Sequence, residues 1–161
     1  MNTNQVYTHL YNMFKCHNVV FDCIPCDYLD RFRARKPTFL VVNTDDSGQP
    51  GTHWVAIAVL DKIYFMCSYG VRMQDYGEHF SKFALKLRKR VVQSNICLQA
   101  AGSDVCGIYA IYFLYCKFKN ESFYTKFSKN VHKNDLRVRS FIIKFKKCIN
   151  KTKNLQSCKK K

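Results

Sequence analysis

Apolar positions along this chain alternate between a helical and a strand period, and the switches outline its elements. Val6, Leu10, Tyr11 and Phe14 recur at helical spacing, which predicts a short amphipathic helix over residues 6–15. Phe21 to Pro25 reads as extended, and Pro37 introduces a strand over Phe39–Asn43. Residues 44–51, rich in Asp, Gly and Pro, form a turn-rich loop. His53 then opens a strand running to Leu60, Asp61-Lys62 turns the chain, and Ile63–Cys67 returns. Residues 75–92 read as a helix with a basic face, and Asn95–Gln99 as a short strand. The run Ile108–Tyr115 is apolar on all faces, which predicts a buried helix behind Cys106. A last amphipathic helix is expected over 134–147, with Leu136, Val138, Phe141, Ile142 and Phe145 inward. Strands grouped in the middle with helices before and after predict an α+β fold, a small central mixed sheet flanked by helices.

Composition bounds the class. With 161 residues, 47% of them hydrophobic, the chain suits one domain with a real core. Residues 1–147 are expected to form it, and 148–161, rich in Lys and Asn, a flexible basic tail. No run reaches the ~18–20 apolar residues of a membrane span. The N-terminus carries neither part of a secretory signal. The expectation is a soluble intracellular monomer in a reducing compartment. The nine cysteines are odd in number and irregularly spaced, which favours reduced, mostly buried thiols over a disulfide framework. Cys23 and Cys26 have CxxC spacing, but nothing completes a zinc site, and no metal or small-molecule cofactor is expected.

Charge adds a partner. The net charge is +16, and residues 117–161 hold 15 Lys and Arg against Glu121 and Asp135. So one-sided a field favours a polyanion, most simply nucleic acid; the alternative is a solvated surface that keeps the protein soluble. Candidate contacts are Lys82, Lys86, Arg88, Lys89 and Arg90 in the middle of the chain, and Arg137, Arg139, Lys144, Lys146 and Lys147 near its end.

The candidate chemistry centres on Cys106. It stands between a polar loop and a buried helix, where helix-end amides favour a thiolate and a lowered thiol pKa. The alternative is a buried structural cysteine. Of five histidines, His53 is the best-placed base, heading a strand directly after a Gly-containing loop. Gln99, seven residues before Cys106, carries an amide able to donate to an oxyanion, with backbone N–H groups at the helix start as partners. Gly107 keeps the path to the sulfur open. Trp54, beside His53, is a candidate substrate contact.

These residues carry a resemblance. The sequence has His53-Trp54 after a Pro-Gly loop, then Tyr64-Phe65 followed by Ser68-Tyr69-Gly70, then Gln99-x6-Cys106-Gly107-x-Tyr109. This resembles the adenovirus-type cysteine proteases (adenain), in particular relatives encoded by Polinton/Maverick elements and adintovirus-like viruses. The likeness extends to residues 21–27, 42–45 and 134–138, and so covers roughly residues 5–145. The order His, acid, Gln, Cys is that of the superfamily shared with ubiquitin-like-protein proteases, whereas papain-like enzymes run Gln, Cys, His. The resemblance implies an endopeptidase that cleaves viral capsid or core precursors after small-residue or Gly motifs, in the host nucleus and the virion. It implies Cys106 as nucleophile, His53 as general base, Gln99 as oxyanion donor, DNA as cofactor and an activating peptide from a capsid precursor. Two alternatives stand beside it: a catalytically impaired, nucleic-acid-binding member of the fold, and an isopeptidase acting on ubiquitin-like modifiers.

Two departures matter. The family places Asp or Glu just before the Ser/Pro-aromatic-Gly stretch, and here that residue is Cys67. The site could work as a Cys–His dyad, recruit another acid (Asp75 first, then Glu78, Asp45 or Asp46), or have lost its activity. Hairpin geometry offers a check. A two-residue turn at Asp61-Lys62 pairs Ala56 with Cys67 and puts Cys67 on the face opposite His53; an odd-numbered loop puts both on one face. The second departure is Arg88, which stands where a cysteine would tie the activating peptide covalently, so a covalent link is not expected.

Overall fold

A computed structural model describes residues 1–34 and 37–158, with backbone alone over 150–158. Five strands form one mixed sheet in the order β1-β2-β3-β4-β5. β1 (Val20–Pro25) runs parallel to β2 (Thr38–Asn43); β3 (Trp54–Val59) is antiparallel to β2 and to β4 (Ile63–Met66). β5 (Val91–Val92) pairs parallel with β4. The α+β architecture agrees with the apolar pattern.

The central strands are apolar on both faces because both faces are covered. Phe39, Val41, Ala56, Ala58 and Met66 face one layer, with α1 (Thr3–Phe14), α3 (Cys106–Phe118) and the inner stripe of α4 (Val131–Cys158). Leu40, Val42, Val55, Ile57 and Phe65 face the other, with α2 (Glu78–Leu87). The small Ala56 and Ala58 let α3 settle close on β3, and α3 buries Ile108, Tyr109, Ile111, Phe113 and Leu114 there. Each such large side chain contributes about 1.5–3 kcal/mol on leaving water.

The structure redraws several boundaries. α1 starts at Thr3, because Asn2 and Gln5 form a capping box. The single helix expected over 75–92 is three pieces. A 3-10 turn (Met73–Tyr76) ends at Gly77, whose φ of 98° breaks the helix; α2 follows and stops at Arg88 in the left-handed region (φ 49°); the chain then becomes β5. Residues 95–99 form no strand: the Leu98 and Gln99 N–H groups both donate to the Ser68 carbonyl, at 2.8 and 3.1 Å. In α4 the inner stripe is Asp135, Val138, Ile142 and the partly buried Phe141 and Phe145, while Leu136 is exposed. Asn134 and Asp135 can be buried because Asn134 donates to the Leu98 and Ser128 carbonyls and Asp135 accepts from the Tyr109 hydroxyl. The helix runs on through residues 148–158, where a tail was expected; residues 159–161 lie outside the described ones.

The hairpin check has a definite outcome. Val59 pairs with Ile63 and Ala56 with Met66, so the β3–β4 loop is the three residues Leu60-Asp61-Lys62. Continuing that register sets Cys67 opposite Val55, on the face His53 shares by parity.

Candidate active site

Three segments meet at one end of the sheet: the entry to β3, the exit from β4 and the start of α3. His53 sits one residue before β3 and is partly buried. Its Nε2 lies 3.4 Å from Cys67 Sγ. Aromatic rings hold the imidazole, with the Tyr69 centroid at 5.0 Å and the Tyr76 centroid at 6.2 Å, near-parallel at 22°. Burial pushes the His53 pKa down to about 4, against the Asp45 carboxylate, which pulls upward.

Cys106 is the first residue of α3, with no side chain capping the helix start. The backbone N–H groups of Trp54 and Gly107 pull its thiol pKa downward. The thiol is nevertheless raised above its ordinary value, because burial outweighs those amides. This corrects the lowered thiol pKa expected at a helix start. At neutral pH the resting pair is therefore thiol and neutral imidazole. With Nε2 turned to Cys67, Nδ1 is the ring nitrogen left over.

Gln99 is buried and fully bonded. Its Oε1 accepts from the Ser68 hydroxyl at 2.7 Å, and its Nε2 donates to the Ser103 carbonyl at 2.6 Å and the Tyr69 hydroxyl at 3.1 Å. A donor on one side and a carbonyl on the other fix which way the amide points. Its second N–H rests on the partly exposed Tyr69 hydroxyl, a contact that an incoming oxygen can replace. Gly70 makes the corner possible: at φ 77° it packs on the 95–96 backbone, where a Cβ would fall 2.5 Å from the Asn95 carbonyl oxygen. Gly107 packs under Trp54 and Met1, each 3.4 Å from where its Cβ would be.

Other expectations land elsewhere. Trp54 is buried, and its indole N–H donates to the Met1 carbonyl at 3.2 Å, so it walls the site rather than offering an open face. Asp75 is no substitute acid: both its oxygens bind Arg72, at 3.0 and 3.2 Å. Glu78 pairs with Lys82, and Asp46 accepts from Cys26 and lies near His79. Asp45 acts on His53 through its field while accepting from the Thr52 N–H.

Of the cysteines whose side chains are described, Cys23, Cys26, Cys67 and Cys116 are buried, fewer than expected. Cys23 and Cys26 project into opposite layers, and burial raises both thiols to about 12, so their spacing builds no common site. Among the described residues no group of three or more His, Cys, Asp or Glu is arranged to hold a metal, and no helix is long and apolar enough to cross a membrane.

The basic candidates divide between the two layers. On the α2 side Lys82 is paired with Glu78, Lys86 donates to the Leu29 and Asp30 carbonyls, Lys89 donates to the Leu60 carbonyl, and Arg88 caps the helix before Arg90. On α4 Arg139 binds Asp104 at 2.6 Å, while Arg137, Lys144, Lys146 and Lys147 form no ion pair among the described residues. Residues that pattern-reading missed are Tyr69, Tyr76 and Ser68. Two of them lie in the Ser68-Tyr69-Gly70 stretch already singled out, and nothing in the sequence marks Tyr76.

A family model described as adenovirus endoprotease matches residues 18–135. The protease of Bovine adenovirus 4 is 27% identical over 114 residues, covering 57% of each chain. The protease of Bovine adenovirus 7 is 26% identical over 117 residues, covering 59% of this chain and 58% of that one. The chain thus spans under three-fifths of the length of these relatives. A crystal structure of an ASFV protease matches with 27% identity and a TM-score of 0.41, over 64% of this chain and 42% of that one.

Proposed function

Since this chain belongs to the adenovirus endoprotease family, we propose that it is a cysteine endopeptidase with Cys106 as nucleophile and His53 as general base. The observation that carries this reading is the meeting of His53, Cys106 and the oriented Gln99 amide at one sheet end, where the Trp54 backbone next to His53 acts on the Cys106 thiol. In the resting state both partners are uncharged, so the Cys106 proton passes to His53 Nδ1 as the sulfur attacks the scissile carbonyl. The oxyanion takes the Gln99 N–H from Tyr69 and recruits the Cys106 and Gly107 backbone N–H groups, which in the resting state act on the sulfur. A donor of this kind is worth about 10²–10³ in rate. The imidazolium then protonates the leaving amine, and water releases the acyl group by the reverse path.

The proposed substrates are viral capsid or core precursors, cut after small-residue or Gly motifs, in the host nucleus and the virion. DNA is the proposed stimulator, supported by the unpaired cations of α4 and the net +13 of residues 117–161. A capsid-derived peptide is the proposed second activator, held without a covalent link. Replacing Cys106→Ala tests the reading: cleavage of a Gly-containing precursor peptide is lost while the circular dichroism spectrum and salt-sensitive DNA binding persist. Wild-type turnover by that variant refutes it. One observation favours a second reading, a nucleic-acid-binding member without activity: the uncharged pair combined with a thiol in the acid's position. It requires that Cys106 react with iodoacetamide no faster than the exposed Cys16 and Cys97, with or without DNA.

A further inference from the structure

Cys67 is buried at the end of β4, and three polar groups converge on its sulfur. The Tyr69 backbone N–H donates to it at 3.3 Å, the Tyr76 hydroxyl lies at 3.0 Å, and His53 Nε2 lies at 3.4 Å. A thiol has one proton to give and two lone pairs to offer. The Tyr69 N–H can only donate, so one lone pair is spent. Two arrangements satisfy the rest. In one, His53 Nε2–H donates to the sulfur, and the Cys67 S–H points at Tyr76 Oη. In the other, Tyr76 O–H donates to the sulfur, and the S–H points at His53 Nε2. The second leaves the imidazole proton on Nδ1, the nitrogen that the proposed mechanism assigns to Cys106, and so blocks the base.

The charged state separates the two further. When Cys106 passes its proton to Nδ1, the imidazolium necessarily carries a proton on Nε2. Only the first arrangement already has an acceptor waiting there, so nothing around Cys67 reorganises during the transfer. We infer that Cys67 and Tyr76 are positioning residues that replace the missing acid: Cys67 Sγ accepts from His53 Nε2–H, and the Tyr76 hydroxyl oxygen accepts the S–H hydrogen bond that would otherwise turn onto the imidazole. This rests on Cys106 as nucleophile and His53 as base. No proton leaves Cys67; the single proton moved runs from Cys106 Sγ to His53 Nδ1. The relay differs from a carboxylate in one respect. It orients the ring without a negative charge, so it leaves the imidazole a weak base. The groups facing His53 are Cys67, Tyr69, Tyr76 and, through its field, Asp45.

The experiment reads the His53 tautomer by nitrogen-15 NMR of the full chain at pH 7, alongside kcat and KM on a Gly-containing peptide. Wild type shows the Nε2–H form. Tyr76→Phe keeps the stacked ring, gains the Nδ1–H form and loses about 10-fold in kcat with KM unchanged. Cys67→Ser keeps one proton and two acceptor sites and retains both tautomer and turnover, whereas Cys67→Ala loses both. Cys67→Asp keeps the Nε2–H form and moves the acidic limb of the pH–rate profile upward by about one unit or more, because a carboxylate favours the imidazolium. An Nδ1–H tautomer in wild type overturns the inference, as does a tautomer unmoved by both Cys67→Ala and Tyr76→Phe. The same spectra on Cys106→Ala keep the two proposals apart. Retained cleavage by Cys106→Ala defeats the nucleophile assignment, whereas an active wild type with an unmoved tautomer defeats only the relay.

Discussion

Lowering the pH from 7 to 5 is expected to weaken the fold through His53. Burial holds its folded pKa at about 4, while in the unfolded chain it returns to the ordinary ~6.5. The unfolded state therefore binds the extra proton first. Stability is fully present above pH 6.5 and is lost as the pH falls toward 4. At pH 5 the two values give a loss of up to about 2 kcal/mol relative to pH 7, a ceiling because the ring keeps a partly exposed edge. His9, also lowered by burial, acts with the same sign. The exposed carboxylates whose pKa values are lowered, Asp61, Glu78 and Asp104, titrate at still lower pH and do not enter this window. The assay is urea unfolding of wild type and His53→Gln at pH 7 and pH 5, followed by fluorescence of the single tryptophan, Trp54. His9 is present in both proteins and cancels. Wild type should lose up to about 2 kcal/mol more than the variant. Equal losses would mean that His53 is not a buried neutral base and would refute the argument.

Two further outcomes test the frame around the site. Gly70→Ala forces a side chain into a positive φ and against the Asn95 carbonyl, so thermal melting should register a loss of about 3 kcal/mol or more together with displacement of Gln99. Tyr109→Phe removes the hydroxyl that lies 2.9 Å from both Asp135 Oδ1 and the Leu98 carbonyl and donates its one proton to the carboxylate, leaving a buried carboxylate short of a donor; chemical denaturation should show a loss of about 1–3 kcal/mol, and an unchanged midpoint would place Asp135 in solvent.

The fold class and the order of elements were readable in the chain because they rest on local periodicity: an all-apolar helix behind Cys106 and short apolar strands before it. Gly77 and Arg88 divide the middle helix for a local reason as well, yet the pairing that turns Val91–Val92 into a strand is with distant Ile63 and Tyr64. Leu136 shows the same limit: a helical stripe can be drawn through it, but Asn134 and Asp135 take the inner face because Leu98, Ser128 and Tyr109 supply their partners.

The sequence by itself determined which chemistry is available: a cysteine at a helix start, one well-placed histidine, one glutamine and no carboxylate beside Ser68. It also determined the cationic excess of the last 45 residues, since charge is a property of composition. Only the tertiary structure decided the rest. A three-residue loop set the β3–β4 register and brought Cys67 Sγ to His53 Nε2. Burial, which no linear pattern reports, raised the Cys106 thiol and lowered His53, reversing the sign expected from the helix end alone. Tyr76 reached Cys67 through a turn and a stacked ring, where nine residues of sequence separation carried no signal. Residue type fixes what a group can donate or accept; distance, desolvation and competing partners are properties of the packed chain.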